Sequence, residues 1–134
     1  MVKHLEHIGI AVSDMEKAIE LYSRLLGTRP YKEETVETEG VRTVFFRIGE
    51  VKIELLEGVG PDNPIDRFVA KRGAGIHHLA YEVEDIFEAI RHCKEQGFQL
   101  VNEEPRVGAD NKLICFIHPK SADGVLIELC QSIQ

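Results

Sequence analysis

Apolar and polar residues alternate along His7-Ile8-Gly9-Ile10-Ala11-Val12, and at Ser13-Asp14 the period changes to helical spacing with Met15, Ala18, Ile19 and Tyr22 on one face. The same switch recurs 71 residues later. His78-Leu79-Ala80-Tyr81-Glu82-Val83 alternates in the same way, and Ile86, Ala89, Ile90 and Cys93 repeat the helical face. A matching strand and helix at a fixed offset reads as an internal duplication, with a two-layer sandwich and a coincidental repeat as the alternative. Capping-box spacing places helix starts at Ser13 with Glu16 and at Asp85 with Glu88, while Gly27 and Gly97 stand where C-terminal caps belong.

Three strand-like runs follow each helix: Arg29 to Val36, Val41 to Ile48 and Val51 to Leu56, then Gln99 to Glu104, Lys112 to Ile117 and Val125 to Leu129. Each half is therefore βαβββ. Both end on the same tripeptide, Ile53-Glu54-Leu55 and Ile127-Glu128-Leu129, at an offset of 74. The expected fold is α+β, a single domain of two tandem βαβββ modules (about 1–57 and 76–134) forming a curved mixed sheet cup with helices outside. A connector over 58–75 reads as a tether, with a short helix capped by Asn63, opened by Pro64 and closed by Gly73.

Strand alternation then sorts the polar residues. Ile8, Ile10 and Val12 belong under the first helix, which leaves His7, Gly9 and Ala11 on the other face. Leu79, Tyr81 and Val83 likewise leave His78, Ala80 and Glu82, and the last strands leave Glu54 and Glu128. One His and one Glu thus turn away from the helices in each half, beside small residues. Two imidazoles and two carboxylates suit a borderline divalent cation, whereas calcium prefers oxygen alone and structural zinc favours thiolates. The expected centre is an octahedral site of His7, Glu54, His78 and Glu128 with about two positions open to water or substrate. His4 and His92 read as exposed, His77 as facing away from His78, and His118 as either a border of the cup or a turn residue before Pro119.

Charge and composition exclude other roles. Lys and Arg total 16 against 23 Asp and Glu, for a net charge of −7 with no basic cluster, which speaks against a nucleic-acid partner. No apolar run approaches the roughly 20 residues of a membrane helix, and Met1-Val2-Lys3-His4-Leu5-Glu6 lacks a signal-peptide core, so a cytoplasmic location is expected. Cys93, Cys115 and Cys130 have no CxxC spacing and read as packing residues.

The double βαβββ plan with inward His and Glu resembles the vicinal oxygen chelate superfamily of glyoxalases, extradiol dioxygenases, antibiotic-resistance binders and epimerases. Within it the methylmalonyl-CoA epimerases are most similar, over nearly the whole chain. The resemblance is carried by His7-Ile8-Gly9-Ile10-Ala11-Val12, Lys52-Ile53-Glu54-Leu55-Leu56 and Gly75-Ile76-His77-His78-Leu79-Ala80. More specific are Phe116-Ile117-His118-Pro119-Lys120 and Gly124-Val125-Leu126-Ile127-Glu128-Leu129.

That resemblance implies one divalent ion per site (Co2+, Mn2+, Ni2+ or Zn2+), an acyl-CoA substrate, a homodimer and a place in propionate metabolism. It implies His7, His78 and Glu128 as ligands, with Glu54 where some relatives have Gln. The reaction implied is removal and return of the α-proton through a metal-stabilised enolate. Glu128 is the first candidate for proton transfer and Glu54 the second. A relative has a Glu on the strand reading Gly40-Val41-Arg42-Thr43-Val44, where this chain places Thr43 or a neighbour. Thr43 is thus a candidate to order a water at the substrate, and Lys120 a candidate contact for the substrate carboxylate or the CoA phosphates. A glyoxalase I-type isomerase and a non-catalytic small-molecule-binding module of the same fold are the alternatives, with a dioxygenase less favoured.

Overall fold

A computed structural model describes residues 1–133. In chain order its elements are β1 (Val2–Ala11), α1 (Met15–Leu26), β2 (Lys32–Val36), β3 (Val41–Ile48), β4 (Val51–Gly58), α2 (Pro64–Arg72), β5 (Gly75–Val83), α3 (Ile86–Glu95), β6 (Arg106–Gly108), β7 (Lys112–Ile117) and β8 (Ile127–Ser132). The class is α+β. Two compact units divide the chain: a first of His7–His77, and a second of Met1–Glu6 with His78–Gln134.

In the first unit the strand order is β2-β3-β4-β1, with β1 parallel to β4 and the other pairs antiparallel. Helix α1 starts one residue later than the capping box suggested, because Asp14 rather than Ser13 is the N-cap and accepts from the Lys17 amide at 3.2 Å. A second acceptor comes from the sheet: Glu57 Oε2 takes the Met15 amide at 3.0 Å. The helix ends at Gly27, whose left-handed φ of 70° directs its N–H to Ser23. Met15, Val44, Phe46 and Leu55 are buried between α1 and the sheet, packed by Ile10, Ala18, Ile19 and Tyr22. Each such burial contributes about 1.5–3 kcal/mol. Strand β2 begins at Lys32 rather than Arg29; Pro30 has no N–H to give to a ladder.

The connector is more than a tether. Asn63 caps α2 by accepting from the Asp66 amide at 2.8 Å, with Pro64 at the first helical position and Gly73 at its end, as the sequence predicts. Ile65 then packs on Ala11, Val41 and Leu56, so the helix covers one end of the face opposite α1. A Cβ on Gly58 would sit 2.1 Å from Asn63 Oδ1, so only glycine lets the cap approach the strand.

The second unit repeats the plan in the order β5-β8-β7-β6, with β5 parallel to β8. Asp85 caps α3 as expected, and Gln131 Oε1 accepts from the Ile86 amide at 2.8 Å, the role Glu57 plays in the first unit. Val83, Ile86, Ala89, Ile90, Cys93, Cys115, Ile117 and Leu129 form the core beneath it. The strand expected over 99–104 is displaced. Only Leu100 bridges there, to Ile117, and the pairing strand is β6, because Asn102 Oδ1 itself takes the Phe116 amide at 3.2 Å and Pro105 cannot donate. The last strand also runs later, as Ile127–Ser132. All three cysteines are buried and free, as expected of packing residues.

Candidate functional site

Register explains how each half brings its His and Glu together. In the first unit β1 pairs with β4 so that Gly9 stands opposite Glu54; in the second, Ala80 stands opposite Glu128. Each Glu therefore faces a residue with at most one methyl, which leaves room for its side chain to lean toward the His two positions earlier. His7 Nε2 lies 3.2 Å from Glu54 Oε1, and His78 Nε2 lies 3.3 Å from Glu128 Oε1. All four side chains are buried, at 4–5 % exposure. An imidazole nitrogen and a carboxylate oxygen at that distance need a proton or a cation between them. Each unit thus offers one buried imidazole nitrogen and one buried carboxylate oxygen, donors of the kind a borderline divalent ion takes.

Aromatic rings flank each Glu: Phe45 stands opposite Glu54 and Phe116 opposite Glu128. Phe116 and the His78 ring meet edge-on, with centroids 6.0 Å apart, and the Arg106 guanidinium lies 6.0 Å from the centre of the Phe116 ring. Thr43 is fully buried on the Glu54 face, and its hydroxyl donates to the Glu34 carbonyl at 3.1 Å. Lys120 is exposed on a turn past β7. Of the two readings open for His118, the turn role holds: its Nδ1 accepts from the Lys120 amide at 3.0 Å and caps that turn. His4 and His92 are exposed, and His77 packs its ring on Phe68 at 4.8 Å.

A charged cluster on the same face of the second unit has no counterpart in the sequence reading. Lys112 Nζ donates to Glu82 Oε1 at 3.2 Å and to Ser132 Oγ at 2.8 Å and lies 4.0 Å from Glu6, with all three charges buried. Alternation had put Glu82 on the His78 face; nothing local pointed to Lys112, 30 residues away.

The model of the glyoxalase/bleomycin resistance protein/dioxygenase superfamily matches residues 6–116. The chain belongs to that superfamily. Within it, the chain is 41% identical to the ethylmalonyl-CoA/methylmalonyl-CoA epimerase of Cereibacter sphaeroides, with 98% of this chain and 99% of that one covered. The crystal structure of methylmalonyl-CoA epimerase from Mycobacterium tuberculosis matches with a TM-score of 0.94 at 39% identity, over 99% of this chain and 90% of that one. A structure of methylmalonyl-CoA epimerase in complex with methylmalonyl-CoA and NH4+ matches with a TM-score of 0.94 at 32% identity, over 98% and 96%. The chain thus has the vicinal oxygen chelate fold, as its duplicated strands and helices predict. No helix among the described residues is long and apolar enough to cross a membrane.

Proposed function

We propose that this chain is a divalent-metal-dependent methylmalonyl-CoA epimerase that interconverts the (R) and (S) thioesters. The observation that carries the reading is the duplicated buried His/Glu pair, 3.2 Å in one unit and 3.3 Å in the other, in a chain 41% identical to a named epimerase. His7, Glu54 and His78 are buried and each presents one ligand atom; Glu128 completes the set as the partner of His78. When bound, a divalent ion supplies Lewis acidity that stabilises negative charge on the thioester oxygen, worth several kcal/mol.

The chain's own groups do the rest. Glu128 is the first candidate to remove and return the α-proton and Glu54 the second, each held in a low-dielectric setting by its His and a neighbouring Phe. Thr43, its hydroxyl tied to a carbonyl, and Lys120, on an exposed turn, are assigned to the substrate's surroundings rather than to proton transfer. A homodimer in the cytoplasm, acting in propionate metabolism, is part of the same reading. The test is to incubate the metal-loaded protein with methylmalonyl-CoA in deuterated water. Deuterium should enter the α-carbon. Turnover of the glutathione hemithioacetal of methylglyoxal, with no deuterium in methylmalonyl-CoA under any divalent ion, would assign the chain to glyoxalase I chemistry instead.

A further inference from the structure

The α-carbon of a substituted malonyl thioester carries two oxygen-bearing arms, one hydrogen and one alkyl group. The oxygens suit a cation and the hydrogen a carboxylate base, so the alkyl group calls for an apolar surface beside that carboxylate. Around Glu128 the second unit supplies one. β8 lies between β5 and β7, with Ala80 opposite Glu128 on one side and Phe116 opposite it on the other, each about 5 Å away across the ladder. Ile114 follows Phe116 on the same face and stands opposite Cys130; with Ala80 they pack as one apolar cluster.

Exposure sorts these residues. Ala80 and Cys130 are fully buried and Ile114 nearly so, which makes them a floor, whereas Phe116 is only half-buried and keeps accessible surface beside Glu128. The equivalent ring of the first unit does not. Phe45, opposite Glu54, is 1% exposed and packs against Tyr31, with centroids 6.1 Å apart. Depth is limited as well, because a Cβ on Gly108 would fall 2.6 Å from Ile114 Cδ1: the isoleucine already fills the space over the glycine and has no room to retreat toward β6. A planar enolate holds its alkyl group in one place while the proton leaves from one side and returns on the other, so a single apolar surface serves both epimers.

We propose that Phe116 receives the α-alkyl group of the substrate and that Ile114 limits its length. This deepens the epimerase reading above and rests on it. Deuterium exchange into methylmalonyl-CoA and butylmalonyl-CoA by the metal-loaded protein separates the two. The unaltered protein should favour methyl over butyl by about 10- to 100-fold in kcat/KM, the discrimination a small apolar pocket provides. Ile114→Ala and Phe116→Ala should each lower that ratio by about tenfold, while Phe45→Ala in the first unit should leave it within about threefold. The ratio cancels any general loss of fold or metal, since both thioesters need the same centre. Exchange without a preference for methyl, or with the preference kept in full by both Ile114→Ala and Phe116→Ala, overturns the alkyl site and leaves the epimerase reading standing. A shift as large in Phe45→Ala as in Phe116→Ala overturns the site too. No exchange of either thioester by the unaltered protein overturns both.

Discussion

The two halves of this chain keep the same backbone plan and diverge at one end of the face that carries the His/Glu pair. In the first unit, Ala11, Val41 and Leu56 form an apolar floor closed by Ile65 of the connector helix. The repeat places Glu82, Lys112 and Cys130 at those three positions in the second unit, and there the space holds a buried ion cluster completed by Glu6 and Ser132. The His/Glu pair recurs in both units although its surroundings differ, so the pair does not depend on one manner of packing. Only the apolar solution follows from the hydrophobic effect alone; the charged one depends on every partner being present.

Breaking the charged version should have the largest effect. Lys112→Met strands two buried carboxylates and should cost about 3–5 kcal/mol in urea unfolding. Replacing Glu6, Glu82 and Lys112 together with apolar residues should recover most of that loss, since an intact apolar filling avoids the desolvation of all three charges. A triple variant as unstable as Lys112→Met would mean the cluster is not the source of the cost. On the apolar side, Ile65→Ala removes the plug of α2 and should cost about 2–4 kcal/mol. The smallest expected effect concerns the thiols. Burial pushes Cys93 up and Cys115 up to about 11, and burial with Glu128 and Glu82 nearby raises Cys130 further. Iodoacetamide at pH 8 should therefore leave all three unmodified in the folded protein and label them on unfolding.

Much of this was legible in the sequence because the duplication supplied each inference twice. β3 and β7 begin and end where the alternation said, and His7, Glu54, His78 and Glu128 were picked out by strand faces alone. The cap at Asp14 was also readable, since the repeat aligns it with Asp85; the capping-box pattern at Ser13 competed with it. What escaped was non-local. Glu82 and Lys112 meet across strands far apart in sequence, and an isolated Glu or Lys on a strand carries no mark of its partner. Arg106 fell outside the expected strand because Asn102 and Pro105 delay β6, and with the strand misplaced its face could not be assigned.

The duplicated His/Glu pair as one metal centre is tested most directly by metal content. His7→Ala and His78→Ala each leave the apolar strand faces intact and should stay folded. After chelation and reconstitution, the unaltered protein should hold one divalent ion per chain and both variants none, with deuterium exchange lost in each. Stoichiometric metal retained in either variant would contradict the account.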